Sequence, residues 1–117
     1  MGHVWVKARI WDPERRHVAE VEALVDTGAT FTVIPRRLAL ELGLGVTRVV
    51  PVATAGGVVR LERTRMWIEI EGREEVVPAV ISDVVDKVPI GVTTLEVLGL
   101  RVDPVARRLV EWTYLLY

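Results

Sequence analysis

The chain has 117 residues, 50% of them hydrophobic and 26% charged, with a formal net charge of −1 and no cysteine. This size and mixture fit one globular domain over residues 1–117, too small for two cores. The balanced charge gives no footprint for nucleic acid and no polybasic membrane patch, and the missing cysteines exclude disulfides, thiol catalysis and cysteine-ligated zinc.

Short strands dominate the reading in chain order. Residues 3–11 are β-prone, Asp12 to Arg16 make a turn set by Pro13 and by the Asp12 side chain, and residues 17–25 return as the partner strand. Alternation of apolar and polar residues fails at Leu24-Val25, just before Asp26-Thr27-Gly28. Residues 31–34 form a further strand, after which Pro35 opens a helix over 36–42 that Gly43 closes. Two strands, 49–54 and 58–62, flank a tip at Ala55-Gly56-Gly57. A second hairpin joins 64–71 to 74–82 through Gly72-Arg73. After the apolar run Val88 to Gly91, residues 93–98 read as a helix with Thr93 as N-cap and Glu96 in the capping-box place. Gly99 ends it, and a last hairpin joins 100–103 to 108–112 across Pro104. An apolar strand, a glycine turn and a short helix at Val25 through Leu42 recur at Pro89 through Leu98.

No targeting segment is expected. Met1 to Lys7 lacks the apolar stretch of a signal peptide, no run approaches the roughly 20 apolar residues of a membrane span, and Val6 stands where a myristoylation site has Ser or Thr. A reducing, cytoplasmic setting fits.

The chemistry centres on Asp26. A carboxylate at the end of a buried strand costs several kcal/mol unless it is paired, hydrogen-bonded or neutral, and a hydroxyl and a glycine follow directly. Asp-Thr-Gly alone occurs by chance in about one chain in a hundred of this length. Its context carries more: two apolar residues before it, Ala29 after it, a Pro-initiated helix, a glycine-tipped hairpin, then an apolar-Ile90-Gly91-helix unit. This order, from about Val4 to Trp112, resembles the retroviral-type (retropepsin-like) aspartic proteases and their cellular and prokaryotic relatives.

That resemblance implies a mainly β fold, a closed antiparallel β-barrel with one or two short helices. It also implies a homodimeric aspartic endopeptidase that uses no metal or cofactor. Each chain would supply one Asp26 to a shared dyad, with one carboxylate activating water and the other, protonated, donating to the scissile carbonyl. Thr27 would bond across to its mate's loop, and Gly28 would let backbone lie close to the carboxylates. An extended peptide would bind between the floor (Ala29, Thr30, Ile90) and the flap tip (Ala55, Gly56, Gly57), with Phe31, Val33, Val52 and Val58 as further pocket walls. The apolar tail 111–117 would serve as dimer surface. Viral enzymes place an Asp and an Arg where this chain has Thr30 and Val92, so both members of a substrate-gripping pair are missing together.

Three alternatives stand beside this. The domain could bind peptides or scaffold a dimer without cleaving, or be a monomeric barrel with an ordinary Asp-Thr-Gly turn. His3 and His17, facing each other across the first hairpin, could form a metal site, though no further ligand spacing supports one. Ser82 has no triad context. Glu69, Glu71, Glu74 and Glu75 read as solvated hairpin charges, and the four tryptophans as core or interface packing.

Overall fold

The computed structural model describes residues 3–114 and 116. The first turn forms as its composition dictates: the Arg15 N–H reaches the Asp12 carbonyl at 2.9 Å, and the His17 N–H reaches Asp12 Oδ1 at 2.7 Å. It joins β1 (Val4–Trp11) to β2 (Val18–Val25) in antiparallel register, from Val4 opposite Val25 to Trp11 opposite Val18. His3 and His17 therefore sit at opposite ends of the hairpin, which corrects the expectation that they face each other. Arg15 adopts a left-handed φ of 57°. Its guanidinium lies 4.8 Å from the Trp11 ring and 3.9 Å from the Trp67 ring, contacts that offset the backbone strain.

After the Asp26 loop come β3 (Thr32–Pro35) and α1 (Arg36–Leu42), with Gly43 as a left-handed C-cap at φ 66°. β4 (Arg48–Thr54) and β5 (Gly57–Ile70) form a hairpin, and β6 (Arg73–Ser82) returns along the far half of β5. β5 is one continuous strand, where sequence suggested a break at Arg63. Continuity follows from Thr64, Met66, Ile68 and Ile70, which point inward and are fully buried, and from the Thr64 hydroxyl, which donates to the Gly45 carbonyl at 2.6 Å. β7 (Val88–Ile90) leads into α2 (Val92–Leu98), and β8 (Leu100–Asp103) pairs with β9 (Arg108–Glu111) as a separate small sheet.

The fold is mainly β. Its main sheet runs β3-β6-β5-β1-β2-β7, with β4 attached to β5. β3 and β7, the two ends, lie side by side, but among the described residues no ladder joins them to close the sheet. Two pairings are parallel: β2 with β7, and β3 with β6. Two strand–loop–strand–helix units thus exchange strands reciprocally. The strand before each loop pairs with the strand after the other loop. This sharpens the sequence echo and shifts its alignment: β7 corresponds to β3 rather than to β2, and the counterpart of the Asp26 loop is residues 83–87.

The interior is filled by Ile10, Ile34, Leu42, Met66, Ile68, Ile70, Ile90 and Leu95, each contributing about 1.5–3 kcal/mol on burial. The tryptophans stay out of this core; Trp5 is 47% exposed, and Trp67 bonds the Pro13 carbonyl at the surface. No helix among the described residues is long and apolar enough to cross a membrane.

Three aspartates are held below the ordinary carboxylate value of 3.8: Asp12 by the His17 N–H, Asp83 by Arg36, and Asp103 by the Ala106 and Val105 N–H groups. Each contributes stability that is present above pH about 4 and is lost as pH falls through its lowered folded value. The urea midpoint is therefore expected to be flat from pH 7 to about 5 and to fall below pH 4. Asp12→Asn should lower the plateau and shallow that fall, as read from urea titrations at each pH.

Candidate active site

β2 delivers Asp26 to the surface, because Val25 is its last buried residue and the chain then turns. The Asp26 N–H donates to the Ile90 carbonyl at 2.9 Å, which extends the parallel β2–β7 pairing by one bond. The turn closes with the Ala29 N–H on the Asp26 carbonyl at 3.2 Å, and the Gly28 N–H donates to Asp26 Oδ1 at 3.0 Å. One carboxylate oxygen is thereby oriented by the loop's own backbone. A Cβ on Gly28 would come 3.3 Å from that oxygen, so glycine keeps the approach open. Thr27 is exposed, and its hydroxyl has no partner among the described residues.

The loop is anchored from below by the start of α2. Gly91 stands at the N-cap position in extended backbone, and no side chain caps this helix. The expected Thr93 capping box does not form, because the orphan donors are taken by the Asp26 loop: Val92 N–H to the Ala29 carbonyl at 2.8 Å and Thr93 N–H to the Thr30 carbonyl at 3.0 Å. Ala29 and Thr30, read from sequence as substrate floor, thus hold the helix through their carbonyls. The Ile90 side chain is fully buried. Its carbonyl positions Asp26, so this residue supports the floor from beneath instead of presenting a surface.

A pair missed by sequence reasoning completes the support. Thr32 and Thr94 are fully buried, with hydroxyls 2.6 Å apart, and Thr32 Oγ1 also accepts the Gly91 N–H at 3.1 Å. The only available signal was a threonine beside apolar residues in each of two expected elements, the strand 31–34 and the helix 93–98. Thr32→Val keeps the shape but leaves the Gly91 N–H unsatisfied. It should cost about 2 kcal/mol, more than Thr94→Val, in paired urea titrations.

Ala55 and Gly56 form the two-residue tip between Thr54 and Gly57, with Gly57 at φ 120°. The Thr54 hydroxyl bridges the turn, donating to the Gly57 carbonyl at 2.8 Å and accepting the Gly56 N–H at 3.2 Å. Val58 is 71% exposed, so this hairpin extends away from the core. Its base is tied down on both sides: Glu62 pairs with Arg36, which also holds Asp83 at 2.8 Å, and the Arg63 guanidinium lies 5.4 Å from the Phe31 ring. Phe31 thereby links the Asp26 loop to the hairpin.

A groove of about 850 Å³ lies elsewhere, lined by Trp5, Val21, Leu38, Val85 and Val88 among others, and includes none of residues 26–31. Among the described residues no cluster of three or more His, Asp or Glu side chains could hold a metal ion. The C-terminal segment folds back on α2, with the Trp112 N–H on the Gly99 carbonyl at 2.8 Å and the Tyr114 hydroxyl donating to the Glu96 carbonyl at 2.9 Å. Leu116 is 98% exposed. Leu115 and Tyr117 of the apolar tail lie outside the described residues.

A family model described as aspartyl protease matches residues 6–106. The fold is similar to that of the EIAV protease complexed with the inhibitor HBY-793, at 20% identity and a TM-score of 0.67, covering 87% of this chain and 93% of that one. The simian foamy virus (mac) protease is similar at 17% identity and a TM-score of 0.58, covering 80% of this chain and 93% of that one. Comparison with curated protein sequences finds no match.

Proposed function

We propose that this chain, which belongs to the aspartyl protease family, is an endopeptidase whose active site is assembled from two copies. The observation that carries the reading is an exposed Asp26 on a loop braced from both sides, present once per chain. A single carboxylate gives only half of an acid–base pair, and a two-fold axis beside the loop would supply the other half. The unpartnered Thr27 hydroxyl supports this, since it is available to the mate's loop. So does the exposure of Leu116 in a tail assigned to the dimer surface.

In the dimer the two Asp26 carboxylates hold one proton between them, because two negative charges a few ångströms apart repel. The ionised member takes a proton from water as the water oxygen attacks the scissile carbonyl carbon. The protonated member donates to the carbonyl oxygen. The tetrahedral diol then collapses as one of its hydroxyls returns a proton to the second carboxylate, the C–N bond breaks, and the departing nitrogen takes the proton that the first carboxylate drew from water. Thr27, Gly28 and Ala29 shape the floor. Ala55, Gly56 and Gly57 close over an extended peptide, whose backbone adds as a strand.

A catalytically silent peptide-binding dimer is the second reading, favoured by Thr30 and Val92 in place of the Asp and Arg with which viral enzymes grip substrate. Here these positions serve the loop–helix contact through their backbone. Activity on a mixed peptide library from pH 3 to 7 distinguishes the two. For the protease, activity per chain rises with protein concentration in step with dimer formation measured by sedimentation. A monomer at micromolar concentration, with no dimer on adding a peptide-based inhibitor, would reject the two-copy site.

A further inference from the structure

The hairpin that would close over substrate carries an unbalanced charge. Residues 48–65 contain Arg48, Arg60, Arg63 and Arg65 and one acid, Glu62, which is already committed to Arg36. None of the four arginines has an acidic partner among the described residues. Two of them are direct cross-strand neighbours: Arg48 lies opposite Arg63 in the β4–β5 ladder, so both side chains leave the same face. Like charges placed opposite each other destabilise a ladder. Among the described residues nothing compensates them except the Phe31 ring beneath the Arg63 guanidinium, which neutralises no charge.

This face belongs to the candidate site. It is the face of Val50, Val52 and Leu61, each half-buried, whereas Pro51, Ala53, Val58 and Arg60 on the other side are exposed. Phe31 follows the Asp26 loop directly, and its backbone lies against Gly91. Arg63 is six residues down β5 from Gly57, roughly 20 Å along the strand, and Arg48 lies opposite it on β4. An extended peptide aligned with the hairpin advances at the same rise per residue.

We infer that Arg48 and Arg63 form a carboxylate-binding seat at the base of the hairpin, selecting peptides with an Asp or Glu side chain roughly four to six positions from the cleaved bond. The inference rests on the protease reading for its substrate and on the arginine pair for its chemistry. Two guanidiniums on one face present forked donors matched to a carboxylate. With Thr30 and Val92 neutral, no carboxylate at those two positions competes for them.

The test uses an apolar-centred peptide with a single Glu moved through each flanking position, beside its all-neutral parent, on the full chain at low ionic strength. The acidic-to-neutral ratio of kcat/KM is expected to peak at about ten at one outlying position. Raising the salt to about 0.5 M should shrink it, and Arg48→Gln with Arg63→Gln should bring it near one. Arg48 is exposed, so Arg48→Glu tests the seat with little risk to folding; it should transfer the preference to a Lys-bearing peptide. A flat wild-type scan, or a ratio unchanged in both variants, overturns the seat. Should no peptide be cleaved, the protease reading fails while the seat is still decided by fluorescence anisotropy of the same peptides. Tighter binding of the acidic peptide that is lost in the double variant supports it, and equal binding overturns it.

Discussion

Asp26→Asn is expected to lower kcat by about 10³-fold or more while leaving the fold intact. The asparagine Oδ1 can still accept the Gly28 N–H, and the side chain is exposed, so neither a buried cavity nor an orphaned donor results. What disappears, on the proposed mechanism, is the base that deprotonates water. Circular dichroism and the urea midpoint should match those of wild type. Mixing sharpens the result: with a nine-fold excess of the variant, random pairing leaves about one wild-type chain in ten with a wild-type partner. Activity per wild-type chain should drop in proportion once the chains have exchanged. Undiminished activity in the mixture would mean that each chain works alone, and cleavage surviving in pure Asp26→Asn would reject the dyad.

Gly91→Ala should destabilise the protein by about 3 kcal/mol, a large share of the 5–15 kcal/mol available to a domain of this size. A Cβ at Gly91 would stand 2.4 Å from the Phe31 carbonyl carbon, 2.5 Å from its oxygen and 2.8 Å from the Thr30 oxygen. All three are backbone atoms and cannot swing aside as a side-chain end would. The loop must move, and with it the Ala29 and Thr30 carbonyls that bond the first turn of α2. Stability and cleavage should therefore fall together. Gly56→Ala is the control: its Cβ meets only Thr54 Oγ1, at 3.9 Å, and the urea midpoint should not change. A midpoint for Gly91→Ala within about 0.5 kcal/mol of wild type would show that the loop yields freely.

Local signals in the sequence located much of this. Asp12 and Pro13 announced the first turn, Pro35 and Gly43 bounded α1, Gly99 ended α2, and the apolar run into Asp-Thr-Gly marked the loop, because each depends on residues within a few positions of one another. The support beneath the loop was hidden for the opposite reason. Thr32 and Thr94 are 62 positions apart, and nothing near either one announces the bond. Thr93 misled because a capping box is a local rule, whereas the N–H groups it would have served are satisfied by carbonyls from a distant loop. Arg63 looked like a strand break because the pattern before it belongs to the exposed hairpin and the pattern after it to the core. One strand serves both. Parallel pairing of β3 with β6 leaves no mark on either strand that its composition could reveal.

The reciprocal exchange of strands between the two halves also sets the order of events as the chain is made. The bonds that fix the loop close intervals of 59 and 62 residues, from Thr32 to Gly91 and to Thr94. Contacts so distant carry a loop-closure cost before they return anything, and they form late. Until synthesis has passed Thr94, the Asp26 backbone has no Ile90 carbonyl to hold it and the helix that receives the Ala29 and Thr30 carbonyls does not exist. An emerging chain therefore carries a carboxylate but no organised loop, and on the protease reading its competence to hydrolyse anything, including unfinished neighbours, is deferred until the segment through Thr94 has been made.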